Sequence, residues 1–249
     1  MTFIRLTGAT LDLPIYDVHG RSLKKQVVRY GRRNRIAEGS DGIVVVRAID
    51  NVTFELVPGD HVGLVGRNGA GKSSLLRTMA GIYTPTAGEL SVSGKVVPLL
   101  DIGLGMDENS TGRQNIRLRG LLLGMSDAEI KSKQKDIADF SDLGDYLDLP
   151  LRTYSSGMRV RLAFAVSTAV DADILLLDEV MGVGDAAFMH KASDRLQGLR
   201  SRAQIVVLAM HSNEEIRRTC NKALWLERGG VRAFGPVNEV LAEYEAGSI

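Results

Sequence analysis

Cysteine and long apolar runs are both scarce in this chain, and each scarcity excludes something. One cysteine in 249 residues, Cys220, rules out an internal disulfide framework and suits a reducing compartment. With Ile216 and Leu224 nearby, it reads as a buried structural thiol rather than a reactive one. The longest apolar stretches, such as Ile205 to Met210, fall far short of the ~20 residues that cross a bilayer. No early segment has the pattern of a signal peptide. A net charge of +1 argues against a general nucleic-acid surface. His19, His61 and His190 show no metal-ligand spacing and read as structural. What remains is 44% hydrophobic, enough for one large α/β domain, or one with a smaller helical insertion.

The chain is organised around Gly66-Arg67-Asn68-Gly69-Ala70-Gly71-Lys72-Ser73, followed by Ser74. An apolar run from Val62 to Val65 precedes it and a helical run follows. This is G-x-x-x-x-G-K-S between strand and helix. Glycines let successive backbone N–H groups point inward at an anion, and the positive end of the next helix faces the same point. Lys72 adds a mobile charge for the outer phosphates, and the Ser73 hydroxyl is a hard oxygen ligand suited to Mg²⁺. The expected ligands are a nucleoside triphosphate and Mg²⁺.

Around this loop the pattern is mixed. Thr2 to Leu6 alternates and predicts an edge strand. From Asp17 to Glu38 there is no intervening acid, yet Arg21, Lys24, Lys25, Arg29, Arg32, Arg33 and Arg35 are basic, with Leu23, Val27 and Tyr30 at helical spacing. Two readings stand: a basic amphipathic helix meeting anionic lipid or an acidic partner, or a solvated insertion. Ile43 to Arg47 and Val52 to Leu56 predict strands, as do Glu89 to Ser93 and Lys95 to Leu100. From Asn115 to about Leu147 the character is helical, with a capping box at Ser126-Asp127-Ala128-Glu129 and apolar Ile130, Ile137 and Phe140 on one face. α/β alternation then returns, with helix over Ser156 to Val170, strand over Ile174 to Leu177 and helix over Ala186 to Leu199. Strands over Ile205 to Met210, Ala223 to Glu227 and Val231 to Phe234 follow, and a helix after Gly235-Pro236 closes the chain.

Strand Ile174 to Leu177 ends in Asp178-Glu179, which places carboxylates at the carboxyl edge of a sheet, where ligands bind in such folds. Asp178 suits Mg²⁺, and Glu179 is placed to polarise an attacking water. Tyr154-Ser155-Ser156-Gly157-Met158 opens another helix. A serine there is either an N-cap or part of a second phosphate contact. His211 also follows a strand.

In this order, phosphate loop, helical stretch, Y-S-S-G-M, I-L-L-L-D-E, V-G-D and a strand ending in His211 resemble the nucleotide-binding subunit of ATP-binding cassette transporters over essentially the whole chain. Leu99-Leu100-Asp101-Ile102-Gly103-Leu104-Gly105 and Thr111-Gly112-Arg113-Gln114-Asn115, with Val183-Gly184-Asp185, are similar to the branch that exports O-antigen, capsular polysaccharide or teichoic acid. The resemblance implies a P-loop NTPase cassette over 1–249: an α/β fold with a mixed-sheet core, an N-terminal antiparallel β part, a helical insertion at about 112–165 and a basic insertion at about 17–40. It implies ATP and Mg²⁺ as ligands, with Gly66 to Ser74 on the phosphates and Ser73, Asp178 and Asp101 at the metal. Asp101 stands where most such ATPases have glutamine. Glu179, His211 and Lys72 would be catalytic. Ser155 and Gly157 would contact the γ-phosphate held by a second subunit, and Asp185 would lie between the two sites. Arg47 stands where an aromatic residue usually stacks on adenine, leaving Tyr16 or Arg47 itself for the base. The implied partners are a second copy of the chain and two copies of a membrane permease. A lipid-linked glycan would be reached only through the permease, at the cytoplasmic face of a bacterial inner membrane, with no nucleic acid involved. The rival reading is a soluble cassette ATPase acting on nucleic acid or ribosomes. Such relatives usually carry a coiled coil or two cassettes, and this sequence has neither.

Overall fold

Strand β1 (Phe3–Ile15) shows how local sequence sets the packing. Ile4 and Leu6 are buried, but so are Ala9 and Leu11, so the inward side switches from even to odd positions. A register shift between Leu6 and Ala9 accounts for the switch, since one extra residue exchanges the two faces of a strand. The computed structural model describes residues 1–15, 36–38, 44–100, 103, 105–178, 186–210 and 212–247, with the backbone alone at 36–38 and 186–187.

Two compact units divide the chain: residues 1–94 with 205–249, and residues 95–204. In the first unit β1, β2 (Ile36–Glu38), β3 (Val44–Leu56) and β5 (Ala87–Ser93) form an antiparallel sheet in the order β2-β3-β1-β5. This corrects two expectations. β1 is longer than Thr2 to Leu6 and lies between two strands, because the register shift lets pairing continue where simple alternation fails. Ile43 lies outside the described residues, and Val44 to Arg47 and Val52 to Leu56 are parts of one strand, β3, whose left-handed Asn51 (φ 48°) breaks the pattern between them.

The same unit pairs β4 (His61–Val65) in parallel with β8 (Ile205–Ala209) on one side and β9 (Lys222–Glu227) on the other, and β10 (Gly230–Pro236) antiparallel with β9. Val62 to Val65 are all buried, as expected for a central parallel strand covered on both faces. Helices α1 (Lys72–Met79), α6 (Asn213–Thr219) and α7 (Val237–Ala246) complete the unit. Trp225 of β9 meets Tyr244 of α7 edge to face at 5.6 Å. Cys220 is buried, as its neighbours suggested.

The second unit holds the parallel pair β6 (Val96–Leu99) and β7 (Ile174–Asp178), with helices α2 (Gly112–Leu122), α3 (Asp127–Ser141), α4 (Ser156–Ser167) and α5 (Ala186–Arg202). Its aromatic centre joins α3, α4 and α5: Phe140, Phe164 and Phe188 lie with ring centroids 5.6 to 5.9 Å apart. The capping box at Ser126 and Glu129 is present, with Ser126 Oγ accepting from the Glu129 amide and the carboxylate accepting from the Ser126 amide at 2.7 Å. Helix α4 stops at Ser167 rather than Val170. Ser167 and Thr168 turn their hydroxyls onto the carbonyls of Ala163 and Phe164, competing with further helix at its end.

Candidate functional site

Three glycines shape the turn between β4 and α1, at φ 145° (Gly66), 77° (Gly69) and 113° (Gly71). At Gly66 the demand is double. Beyond its positive φ, a Cβ there would lie 2.3 Å from the carbonyl oxygen of Leu226, so the loop lies directly against the β9–β10 hairpin. The Ala70 amide donates to Arg67 O at 3.0 Å, closing a tight turn, and Leu75 N donates to Gly71 O at 2.8 Å as α1 begins. Lys72, Ser73 and Ser74 open the first turn of α1, the end of the helix at which its dipole is positive. Lys72 folds over this arc, its Nζ 2.6 Å from Gly66 O and 3.4 Å from Arg67 O. Arg67, Asn68 and Gly69 are exposed at the rim, while Lys72, Ser73 and Ser74 are half-buried. The result is a concave row of donors around a positive side chain, a receptacle for a polyanion.

The hairpin turn behind the loop links it to β3. Gly229 N donates to Ala70 O at 2.8 Å, and Asp50 N donates to Gly229 O at 3.0 Å. Three residues before Asp50, Arg47 makes a two-pronged ion pair with Asp12, Nε to Oδ1 at 2.9 Å and Nη2 to Oδ2 at 3.1 Å, and a looser one with Asp50 at 3.4 Å. The Asp12 hydrogen bonds hold the Arg47 guanidinium above its ordinary pKa. They also fix its plane. Asp12 and Gly229 escaped sequence reasoning, because cross-strand pairing and hairpin packing leave no periodic mark.

In the second unit, Asp178 ends β7 half-buried, after four buried apolar residues. Ser155 is the N-cap of α4, its Oγ accepting from Met158 N at 3.2 Å. Gly157 differs from the other glycines named. A Cβ there would meet only Ser155 Oγ among the described residues, at 3.9 Å. Nothing described in the chain requires a glycine at this helical position, which costs helix stability relative to alanine. Asp101, Glu179, Asp185, His211, Tyr16 and the basic run from Arg21 to Arg35 lie outside the described residues. Gly66 to Ser74 are thus brought together in one unit, and Ser155, Gly157 and Asp178 are positioned in the other.

Strand, glycine loop, lysine and helix in this arrangement define a nucleoside-triphosphate-binding α/β cassette. The chain belongs to the ABC transporter family, whose description matches residues 49–182, and its nucleotide is ATP. It is 47% identical over 229 residues to the O-antigen export system ATP-binding protein RfbE of Yersinia enterocolitica, covering 92% of this chain and 96% of that protein. RfbB of Myxococcus xanthus, another O-antigen export ATP-binding protein, is 42% identical over 90% of this chain, which spans 50% of that relative. The teichoic acids export ATP-binding protein TagH of Enterococcus faecalis is 38% identical over 80% of this chain and 44% of its own length. Among solved structures, an ATP-binding subunit of an ABC transporter superposes with a TM-score of 0.71, at 18% identity, over 98% of this chain and 94% of that one. A dimeric ATP-binding cassette in a post-hydrolysis state with ADP and Pi gives 0.67, also at 18%, over 94% and 98%. These structural likenesses show the fold. Among the described residues no helix is long and apolar enough to cross a membrane.

Proposed function

We propose that this chain is the ATP-hydrolysing subunit of a bacterial exporter that drives a lipid-linked polysaccharide of O-antigen type across the inner membrane. It works at the cytoplasmic face as a homodimer against two copies of a membrane permease, and reaches the glycan only through them. The observation that carries the reading is the closed arc from Gly66 to Ser74 under Lys72, joined to the names of relatives that match most of the chain. The cassette is a single functional domain over 1–249, with a helical insertion at about 112–165 and a basic insertion at about 17–40.

In this reading Lys72 leaves its carbonyls for the outer phosphates, and the amides at the start of α1 hold the same groups. Ser73, Asp178 and Asp101 supply oxygen ligands for Mg²⁺. The half-buried Ser73 hydroxyl and Asp178 carboxylate are hard donors of the kind that ion takes. Bound there, Mg²⁺ neutralises charge on the transferring phosphoryl group. Glu179 accepts a proton from the attacking water, and His211 orients the γ-phosphate. Ser155 and Gly157 reach that phosphate from the second subunit, and Asp185 lies between the two sites. The open space at Gly157 supports a close approach there from outside the chain. Adenine stacks on the flat Arg47 guanidinium or on Tyr16.

The test is a cell whose only copy of the chain carries Glu179→Gln. Lipid-linked glycan should accumulate on the cytoplasmic leaflet and vanish from the cell surface. Normal surface glycan in that cell would overturn the assignment.

A further inference from the structure

The turn carrying Ser155 and Gly157 is held from an earlier stretch of the chain as well as by its own cap. Its preceding segment, Leu149 to Thr153, is hydrogen-bonded to residues about forty positions earlier. Gly112 N donates to Leu149 O at 3.2 Å, Leu151 N to Ser110 O at 3.0 Å and Arg152 N to Glu108 O at 2.9 Å, and Thr111 and Pro150 form an antiparallel bridge. Side chains continue the contact: Arg152 Nη1 donates to Asn109 Oδ1 at 3.1 Å, and Arg159 in the first turn of α4 pairs with Glu108 at 2.5 Å. Tyr154, the first residue of the turn, is buried over Gly112. Its hydroxyl donates to Tyr146 O at 2.5 Å and lies 2.3 Å from where a Gly112 Cβ would be. Only glycine lets the phenol occupy that place.

The earlier segment is in turn built around Asn115, which is fully buried. Its Oδ1 accepts from Asp107 N at 2.8 Å, and its Nδ2 lies within reach of the carbonyls of Asp107, Ser110 and Thr111 at 2.9, 3.1 and 3.0 Å. A buried amide with both ends satisfied fixes one loop shape.

We infer that Gly112, Asn115 and Glu108 are positioning residues for the turn at Ser155 and Gly157, locking residues 107–115 and 149–159 into one rigid piece that sets where that turn faces. The inference rests on the phosphate-contacting role proposed for Ser155 and Gly157. None of the three residues needs to touch nucleotide. Each acts through Tyr154, the 149–153 segment or Arg159. The exposed Glu108–Arg159 pair is weak alone and aligns α4 only together with the backbone bonds.

The test separates phosphate-loop binding from turnover in the purified chain. Gly112→Ala should lower ATP turnover about ten- to a hundredfold, the scale of a small misplacement of a catalytic group. Affinity for a fluorescent ATP analogue should stay within about twofold, because the phosphate loop is untouched. Adding Tyr154→Phe removes the hydroxyl that meets the new methyl. Approaches to Leu147 Cα at 3.0 Å and Leu147 Cδ2 at 3.1 Å remain, which a shift of a few tenths of an ångström relieves, and most of the turnover should return. Independently, Glu108→Arg should slow turnover and Arg159→Glu in the same chain should restore it, which keeps the test open if Gly112→Ala does not fold. Turnover within twofold of the parent for both Gly112→Ala and Glu108→Arg, or no rescue by either second change, overturns the inference. Ser155→Arg is the control. If it leaves turnover intact, the proposed role of Ser155 fails; if it abolishes turnover while Gly112→Ala and Glu108→Arg both do nothing, the positioning inference alone fails.

Discussion

Lys72 Nζ donates to Gly66 O across 2.6 Å, so the cation at the end of the phosphate loop is held by the residue that opens it. An incoming phosphate exchanges a neutral acceptor for a charged one at the same donor, which strengthens the bond. Lys72→Ala should weaken ATP binding by about ten- to a hundredfold, the worth of one charge-assisted hydrogen bond. Nucleotide titration checks this, and an unchanged dissociation constant would remove Lys72 from the site.

Gly66→Ala should be worse for the fold than for the chemistry. Its methyl would enter the Leu226 carbonyl, a backbone atom that cannot turn aside, at a φ that L residues rarely adopt. A lowered melting temperature should accompany lost ATP binding, whereas Lys72→Ala should leave the melting temperature nearly unchanged. Calorimetry of the two variants side by side distinguishes strain from lost charge.

Gly157→Ala should do the reverse. The methyl has open space at a helical position, so the chain should be stabilised by about 0.4 to 1 kcal/mol. Turnover should fall if a phosphate must approach that backbone closely. A stabilised variant with full turnover would mean that Gly157 is not at a nucleotide contact.

What could be read from the sequence was what is local. Gly66 to Ser74, the buried run ending at Asp178 and the capping box at Ser126 each declare themselves within ten residues, and each is present in the fold. Alternation alone divides β3 in two because Asn51 interrupts it, and only the pairing with β1 carries the strand across that break. The capping box at Thr111 and Gln114 is spelled T-x-x-Q, and the glycines and polar residues before it hide the helix start. The Gly112–Tyr154 contact had no such signal. It joins residues 42 positions apart through a steric requirement that no periodicity encodes. Two motifs that look independent along the chain are one object in space.

Asp107 gives the 107–111 loop an acid limit. The Ser110 hydroxyl donates to Oδ2 at 2.5 Å and the Asn109 amide to Oδ1 at 3.1 Å, and they hold the carboxyl below its ordinary value in that order of importance. A depressed carboxylate contributes stability above its unfolded pKa of about 3.9 and loses it as pH falls through the lower folded value. Amide exchange at Asn109 and Ser110, corrected for intrinsic rates, should be flat from pH 7 to 5 and accelerate below about pH 4. In Asp107→Asn it should be faster throughout, with no acid step. An acid step that persists in Asp107→Asn would assign it to another group.

The number of chains in one active site is open to a sharper test. The phosphate loop and the Ser155 turn each begin a helix able to face a phosphate, and in the proposed homodimer each ATP lies between Lys72 of one subunit and Ser155 of the other. Lys72→Ala and Ser155→Arg should each be inactive alone. Mixed, they form some dimers in which one site collects both defects and the other pairs an intact loop with an intact turn. ATP-dependent dimerisation should then reappear, with partial hydrolysis, at a level that follows the fraction of mixed dimers. If each site is instead built within a single chain, every site in the mixture carries one defect. No ratio of the two variants would then restore either property, and the shared-site reading would be abandoned.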